Sequence, residues 1–196
     1  MIAPRPGVVF TTAADGDMRG DHSRRYGLGA PDDWATVRQV HGADIVEVAG
    51  PGDQGAADGL TTRRAGLALA VFTADCLGVV LHGPSQVTVV HAGWRGLAGG
   101  VVERAVASMD VVESAVIGPH IRSCCFEVGP EVAARFAEHT AQTTWGTTSV
   151  DMAAAVAARL PVSPDVVDLC TRCGSDTFSH RRDATAFRLA AVGWIP

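Results

Sequence analysis

Residues 67–96 read LALAVFTADCLGVVLHGPSQVTVVHAGWRG. Three apolar runs, Leu67–Phe72, Leu77–Leu81 and Val87–Val90, are bounded by Asp, Gly or Pro. They are too short for helices and rich in Val and Leu, which marks them as strands that follow one another directly. Beyond the glycine-bracketed HAGWRG turn the period changes. Leu97, Val101, Val102, Ala105, Val106 and Met109 recur at helical spacing, with Glu103 and Arg104 on the opposite side.

Further strands are expected at Val8–Thr12, Ala35–Val40, Ile45–Val48, Ala115–Ile117, Val166–Leu169 and Phe187–Ile195. A second helix is expected from Pro130 to about His139, with proline in its first turn. A third runs Met152–Leu160 behind Asp151 as N-cap and stops before Pro161. GPGDQGAADG (50–59) and HTAQTTWGTTS (139–149) read as loops. Strands outnumber helices and adjoin one another, so the expected class is α+β: one domain over residues 1–196, a mixed β-sheet core flanked by helices.

The 196 residues are enough to bury a core, and 47% hydrophobic content excludes a disordered chain. A net charge of −5 gives no general attraction to nucleic acid or anionic membrane. No apolar run approaches the ~20 residues of a membrane span, and MIAPRPGVVF has no signal-peptide pattern. Five cysteines, in two small groups plus one single, argue against a secreted disulfide framework and for the cytoplasm. All 16 basic side chains other than histidine are arginine, and asparagine is absent too. That rules out a P-loop lysine, a Schiff-base lysine and a Cys-His-Asn protease.

Three strand-end residues carry the chemistry: His41 in RQVHGAD, Cys76 in FTADCLG and His91 in VVHAGWRG. An isolated cysteine in an apolar run is usually an inert hydrophobe. Asp75 beside Cys76, and a second strand-end motif 15 residues later, turn the reading toward function. Two imidazoles and a thiolate can hold a transition metal and leave one position open. Arg95, at the start of the helix, adds a fixed positive charge for an anion. Ser179, His180, Arg181 and Arg182 form SHRRD, where paired arginines can grip phosphate or simply form a solvated basic turn. Cys170-x-x-Cys173 is a CxxC without a partner pair, and Cys124-Cys125 reads as packing. His120 follows the Gly118-Pro119 turn and is expected near the pocket.

In order along residues 38–188 stand QVHGADIVEV, ADGLTT, ADCLGVVL, VHAGWRGLAGG, IGPHIRSCCFEVGPEV and DLCTRCGSDTFSHRRD. This series resembles the bacterial laccase-domain family, once called multi-copper polyphenol oxidoreductases and now described as purine nucleoside phosphorylases with adenosine deaminase activity. The chain departs from the family pattern at its N-terminal side, compressed to GDMRGDHSRRYGLG (16–29), at His180 where SYRRD has tyrosine, and at Phe187-Arg188. The resemblance implies that His41, Cys76 and His91 ligate the metal, zinc with copper as alternative; Cys76 and His91, with Asp75 beside them, are the residues expected to be catalytic. It implies nucleoside and phosphate as ligands, and the residues whose charge and position suit contact with them are Arg95, Ser179, His180, Arg181 and Arg182.

Three other chemistries stay open. A copper polyphenol oxidase would need the paired His-x-His motifs of a trinuclear cluster, and none occurs among seven histidines; a single His₂Cys site can bind copper. A metal-free amidase acting on cell-wall precursors would use Cys76 as nucleophile and His91 as base. A structural metal in a binding protein would need a fourth protein ligand.

Overall fold

The computed structural model describes residues 1–196. Its strands in chain order are β1 (Ile2–Arg5), β2 (Val8–Phe10), β3 (Trp34–Arg38), β4 (Ile45–Glu47), β5 (Gly52–Ala56), β6 (Gly59–Thr62), β7 (Ala68–Thr73), β8 (Leu77–His82), β9 (Val87–Ala92), β10 (Ser114–Ile117), β11 (Thr140–Gln142), β12 (Thr148–Val150), β13 (Asp165–Val166) and β14 (Leu189–Gly193). The helices are short: α1 (Trp94–Ala98), α2 (Val101–Ala107), α3 (Pro130–Ala133), α4 (Met152–Ala157) and α5 (His180–Asp183). Two six-stranded mixed sheets, β1-β2-β14-β7-β3-β5 and β13-β10-β8-β9-β6-β4, make the expected α+β class.

Period-2 alternation assigns each side chain to a layer. In β7, Leu69 and Val71 join Val80, Val89, Leu60 and Val116 in the core between the sheets. Its alternate residues Ala68, Ala70 and Phe72 face the other way, against Met18, Leu28 and Trp34. In β8, Leu77, Val79 and Leu81 face outward onto Leu97, Val101, Val102 and Ala105 of α1 and α2. The N-terminal segment thus covers one outer face and the helices the other.

Several expectations shift at the edges. The single helix expected from Leu97 breaks at Gly99-Gly100, where Gly100 takes φ +87°, and so becomes α1 and α2. The Pro130–His139 helix is α for one turn and then 3-10, with Phe136 out of helical geometry. Residues 50–59 hold β5, and 139–149 hold the hairpin β11–β12. Neither has an apolar alternation: β5 and β11 pair through backbone while exposing most side chains, and the three-residue β12 buries only Ser149 and Val150. The Asp151 carboxylate does cap α4, accepting from the Ala154 amide at 2.9 Å. No helix is long and apolar enough to cross a membrane.

One feature of the topology decides where chemistry can occur. Strands β3 and β7 are parallel neighbours in the first sheet, so their C-terminal ends lie together. From those ends the chain crosses to the second sheet, through residues 39–44 into β4 and through 74–76 into β8. Strand β9 runs antiparallel to β8, with His91 opposite Gly78. Three chain segments therefore meet at one end of the two-sheet stack.

The inter-sheet layer holds that end in register. Leu69→Ala, at a fully buried position there, should cost about 2–5 kcal/mol, read as a lower urea midpoint at unchanged slope.

Candidate metal centre and cleft

The meeting point is occupied by His41, Cys76 and His91, whose ligand atoms all lie within 4.8 Å of one another. Each arrives by a different local device. The Gln39 side chain completes the parallel pairing past the end of β3, donating to Phe72 O and accepting from Phe72 N, both at 2.8 Å. The next turn puts His41 in the left-handed region at φ 59°, and Asp75 sits there too at φ 92°. Such conformations cost about 1–3 kcal/mol for residues with side chains, so the surroundings must hold them. Ala184 (φ 50°), ending α5, is the only other non-glycine residue with positive φ.

Asp58 does much of that holding. Fully buried, it accepts from the amides of Val40 (3.2 Å), His41 (2.9 Å) and Gly42 (2.6 Å), which fixes the His41 turn. It also accepts from His91 Nδ1 at 2.8 Å. A carboxylate can only accept, so Nδ1 carries the proton and Nε2 is the nitrogen left for a ligand. The rings of His41 and His91 meet edge to face at 4.8 Å. Gly93 and Gly96 of HAGWRG are required by space. A Cβ on Gly93 would lie 2.9 Å from His41 Cδ2 and 3.3 Å from Cys76 Sγ, and one on Gly96 would lie 2.6 Å from Gly42 O.

Asp75 faces away from the triad. Its carboxylate accepts from Thr171 Oγ1 and from the Arg181 amide, each at 2.6 Å, and its carbonyl accepts from the Ile121 amide at 2.9 Å. It is buried and tethers the Cys76 turn to the C-terminal loop.

Electrostatics couple the three groups. Burial opposes ionisation of Cys76, but hydrogen bonds from His41 and His91, and their charge, bring the thiol down to about 6. Burial likewise opposes protonation of His91, yet Asp58 and Cys76 lift it to about 9. Asp58, despite burial, is held below the usual carboxylate range by His91 and the amides of Gly42 and Val40. Without metal the site is thus a thiolate–imidazolium–carboxylate chain around neutral pH.

This donor set fits a transition ion. One soft thiolate and two imidazoles match zinc or copper, and a carboxylate on the distal nitrogen of His91 is the usual outer partner of a ligating histidine. No fourth His, Cys, Asp or Glu joins the three.

The triad opens into a cleft of about 810 Å³, also lined by Arg19, Arg25, Arg38, Arg188, His22, His180, Tyr26, Trp34 and Phe72. Of the residues expected to hold phosphate, His180 lines it and Arg95, Ser179, Arg181 and Arg182 do not. The Arg182 guanidinium donates to the carbonyls of Thr171, Gly174 and Thr177 and pairs with Asp183. Arg181 reaches Glu127 O at 2.9 Å, Arg95 lies over Trp94 at 4.3 Å, and Ser179 caps α5 by accepting from the Arg182 amide at 3.1 Å. His120 is buried against Gly118 O and does not reach the cleft. The cationic wall comes instead from Arg25 and Arg38, which no motif reading singled out, and from Arg188 of the Phe187-Arg188 pair downstream of SHRRD. Arg25 lies over Trp34 and Phe72 (5.0 and 5.7 Å), and its buried Nε has no partner. The signal available in sequence was only that RQVHG begins with arginine and that ADGLTT carries Asp58.

Comparison with known proteins agrees on one family. A family model described as multi-copper polyphenol oxidoreductase laccase matches residues 19–196. A purine nucleoside phosphorylase of Streptomyces griseus is 38% identical, the match spanning 93% of this chain and 82% of that one. One from Streptomyces coelicolor is 39% identical over 81% of this chain and 74% of its own. Among solved structures, YlmD from Geobacillus stearothermophilus superposes with TM-score 0.74 at 30% identity, covering 83% of this chain and 74% of that one.

In metal-free protein, alkylation of Cys76, followed by peptide mass mapping, should have its midpoint near pH 6. Asp58→Asn removes the anion that keeps His91 protonated. His91 then loses its proton at lower pH, the thiolate loses its cation, and the midpoint moves up toward ordinary thiols. An unmoved midpoint would refute the coupling.

Proposed function

We propose, from the premise that this chain belongs to the multi-copper polyphenol oxidoreductase laccase family, that it is a metal-dependent purine nucleoside phosphorylase. The observation that carries the reading is a two-histidine, one-cysteine triad at the floor of an arginine-lined cleft, together with relatives that bear that name. In this reading residues 1–196 act as one catalytic domain, and unpaired thiols suit a reducing cytoplasm.

His41, Cys76 and His91 hold the ion, which we take to be zinc, with copper as the alternative that the same one-thiolate, two-imidazole set would accept. When bound, zinc supplies a Lewis acid beside the reacting centre. The remaining roles fall to the chain's own side chains. Arg25, Arg38, Arg188 and His180 bind phosphate and position one of its oxygens toward the ribose C1′. Phe72, Trp34 and Tyr26 give the cleft its aromatic surface for the purine. That oxygen forms the new C1′ bond as the C1′–N9 bond breaks; the electron pair leaves with the base, which takes up the proton that hydrogen phosphate gives up. The arginines offset the charge of the incoming phosphate. Arg181, Arg182, Ser179 and Asp75 are positioning residues that hold the cleft wall, and Arg95 stands outside it.

Adenosine deamination is a companion reading, supported by the His/Cys ligation logic shared with zinc deaminases. A different reading, a metal-free Cys-His hydrolase, is favoured by the Cys76–His91–Asp58 chain, whose order matches an activated thiol nucleophile.

Purified protein should release adenine from adenosine, or hypoxanthine from inosine, only when phosphate is present, and a chelator should abolish the release. Inosine formed without phosphate would identify deamination instead. Amide hydrolysis that survives chelation would replace both with the thiol hydrolase. Cys76→Ala should lose this site's metal and all activity. Arg38→Ala should raise the phosphate KM about 10–100-fold with metal content unchanged, as expected for one lost charge-assisted bond. Equal phosphate dependence in mutant and parent would remove Arg38 from the phosphate site.

A further inference from the structure

Four of the five cysteines have no part in the cleft, yet they are not scattered. Cys124 and Cys125 lie in the turn after β10, and Cys170 and Cys173 in the loop after β13. From sequence, the first pair reads as packing and the CxxC has no partner pair; the fold supplies each as the other's partner. A parallel bridge between His120 and Cys170, with Thr171 N donating to His120 O at 3.0 Å, lays the two segments side by side. All four sulfurs then fall within 4.8 Å of one another.

We propose that Cys124, Cys125, Cys170 and Cys173 form a second metal centre, a closed four-thiolate site for zinc that is structural. The distances test the idea directly. With Zn–S at about 2.3 Å, a regular tetrahedron has sulfur–sulfur edges of about 3.8 Å. Cys124 Sγ lies 3.6 Å from Cys125, 3.7 Å from Cys170 and 3.7 Å from Cys173, and Cys125 lies 3.2 Å from Cys173. One sulfur nearly equidistant from three others suits a shared cation rather than a two-membered bond. Four such ligands close the shell, in contrast to the three around Cys76, and closed thiolate shells are structural.

The backbone is arranged for thiolates as well. The Arg122 amide donates to Cys170 Sγ at 3.4 Å. The amides of Cys173 and Arg172 also lie in hydrogen-bond reach of that sulfur. Cys170-Thr-Arg-Cys173-Gly174 is thus a turn that wraps its amides around its first sulfur, closed by Gly174 N on Cys170 O at 2.8 Å. Cys125 and Cys170 are buried while Cys173 is at the surface, so an ion could enter from solvent and be shielded once bound.

The placement also says what the ion would do. Thr171, inside the CxxC turn, donates to Asp75, the residue before Cys76. Its carbonyl accepts from Arg182, in the helix whose first residue, His180, lines the cleft. Cross-linking this turn to residues 124–125 would therefore fix both the Cys76 turn and the His180 wall without touching substrate.

The inference is independent of the reaction assigned to the cleft. Cys76→Ala protein, purified with zinc present, should retain one equivalent by elemental analysis, and Cys76→Ala/Cys173→Ser should lose it. Cobalt loaded into the parent protein should show the strong thiolate charge-transfer and tetrahedral bands of four sulfurs, beyond those of a single Cys76 ligand; this holds even if the double mutant does not fold. Stripping the ion from Cys76→Ala protein should speed proteolysis within residues 168–184. The proposal is overturned if Cys76→Ala protein carries no stoichiometric metal, if cobalt gives only a one-thiolate spectrum, or if mass measurement shows these cysteines paired as disulfides.

Discussion

The buried carboxylate of Asp58 is the constraint on which the site depends. It accepts three consecutive main-chain amides around His41 and the Nδ1 proton of His91. One anion thus fixes a strained turn and chooses the tautomer of a ring from another strand. An ionised group without solvent is costly unless its lone pairs are satisfied. Here four N–H donors satisfy them, so removing any partner would leave a charge exposed to low dielectric. That asymmetry makes the arrangement single-valued: the turn cannot relax without stranding the carboxylate.

The sheets make such an arrangement possible. Parallel β3 and β7 end side by side, and both chains then leave the first sheet for the second. A crossing chain must break its ladder, which frees backbone amides to be bound by side chains instead. Asp58 takes up that role on the first crossing, while on the second Asp75 ties the chain to the Arg181 amide and the Thr171 hydroxyl; both non-glycine residues forced into the left-handed region near the triad, His41 and Asp75, lie on the crossings. Strain, unpaired amides and reactive groups coincide because all three follow from the same departure from the sheet.

Arginine is the only long cation in the chain, and the structure divides its 16 copies by task. Arg182 ties Thr171, Gly174 and Thr177 of one loop to Asp183 of α5, and Arg181 holds Glu127 O. Arg25 and Arg38 face the cleft from the N-terminal segment and β3. The SHRRD segment, which looks like an anion grip, is chiefly a brace, and only His180 reaches the cleft. A planar five-donor head suits both roles equally, so residue type alone cannot separate them.

Sequence by itself determined the strands with apolar alternation, such as β7, β8 and β9, and the Asp151 cap. Period and end chemistry are local properties of the chain. It also identified His41, Cys76 and His91 as a set, because their motifs sit at strand ends beside small residues and match a known series. Tertiary structure alone decided what bridges distant segments. The four-donor role of Asp58, the brace made by Arg182, the cleft-facing Arg25 and Arg38, and the meeting of Cys124-Cys125 with Cys170-x-x-Cys173 all depend on which strands become neighbours. Strands β5 and β11 are not legible in the sequence for the same reason: with little apolar surface to bury, they are defined by the partner they pair with and not by their own pattern.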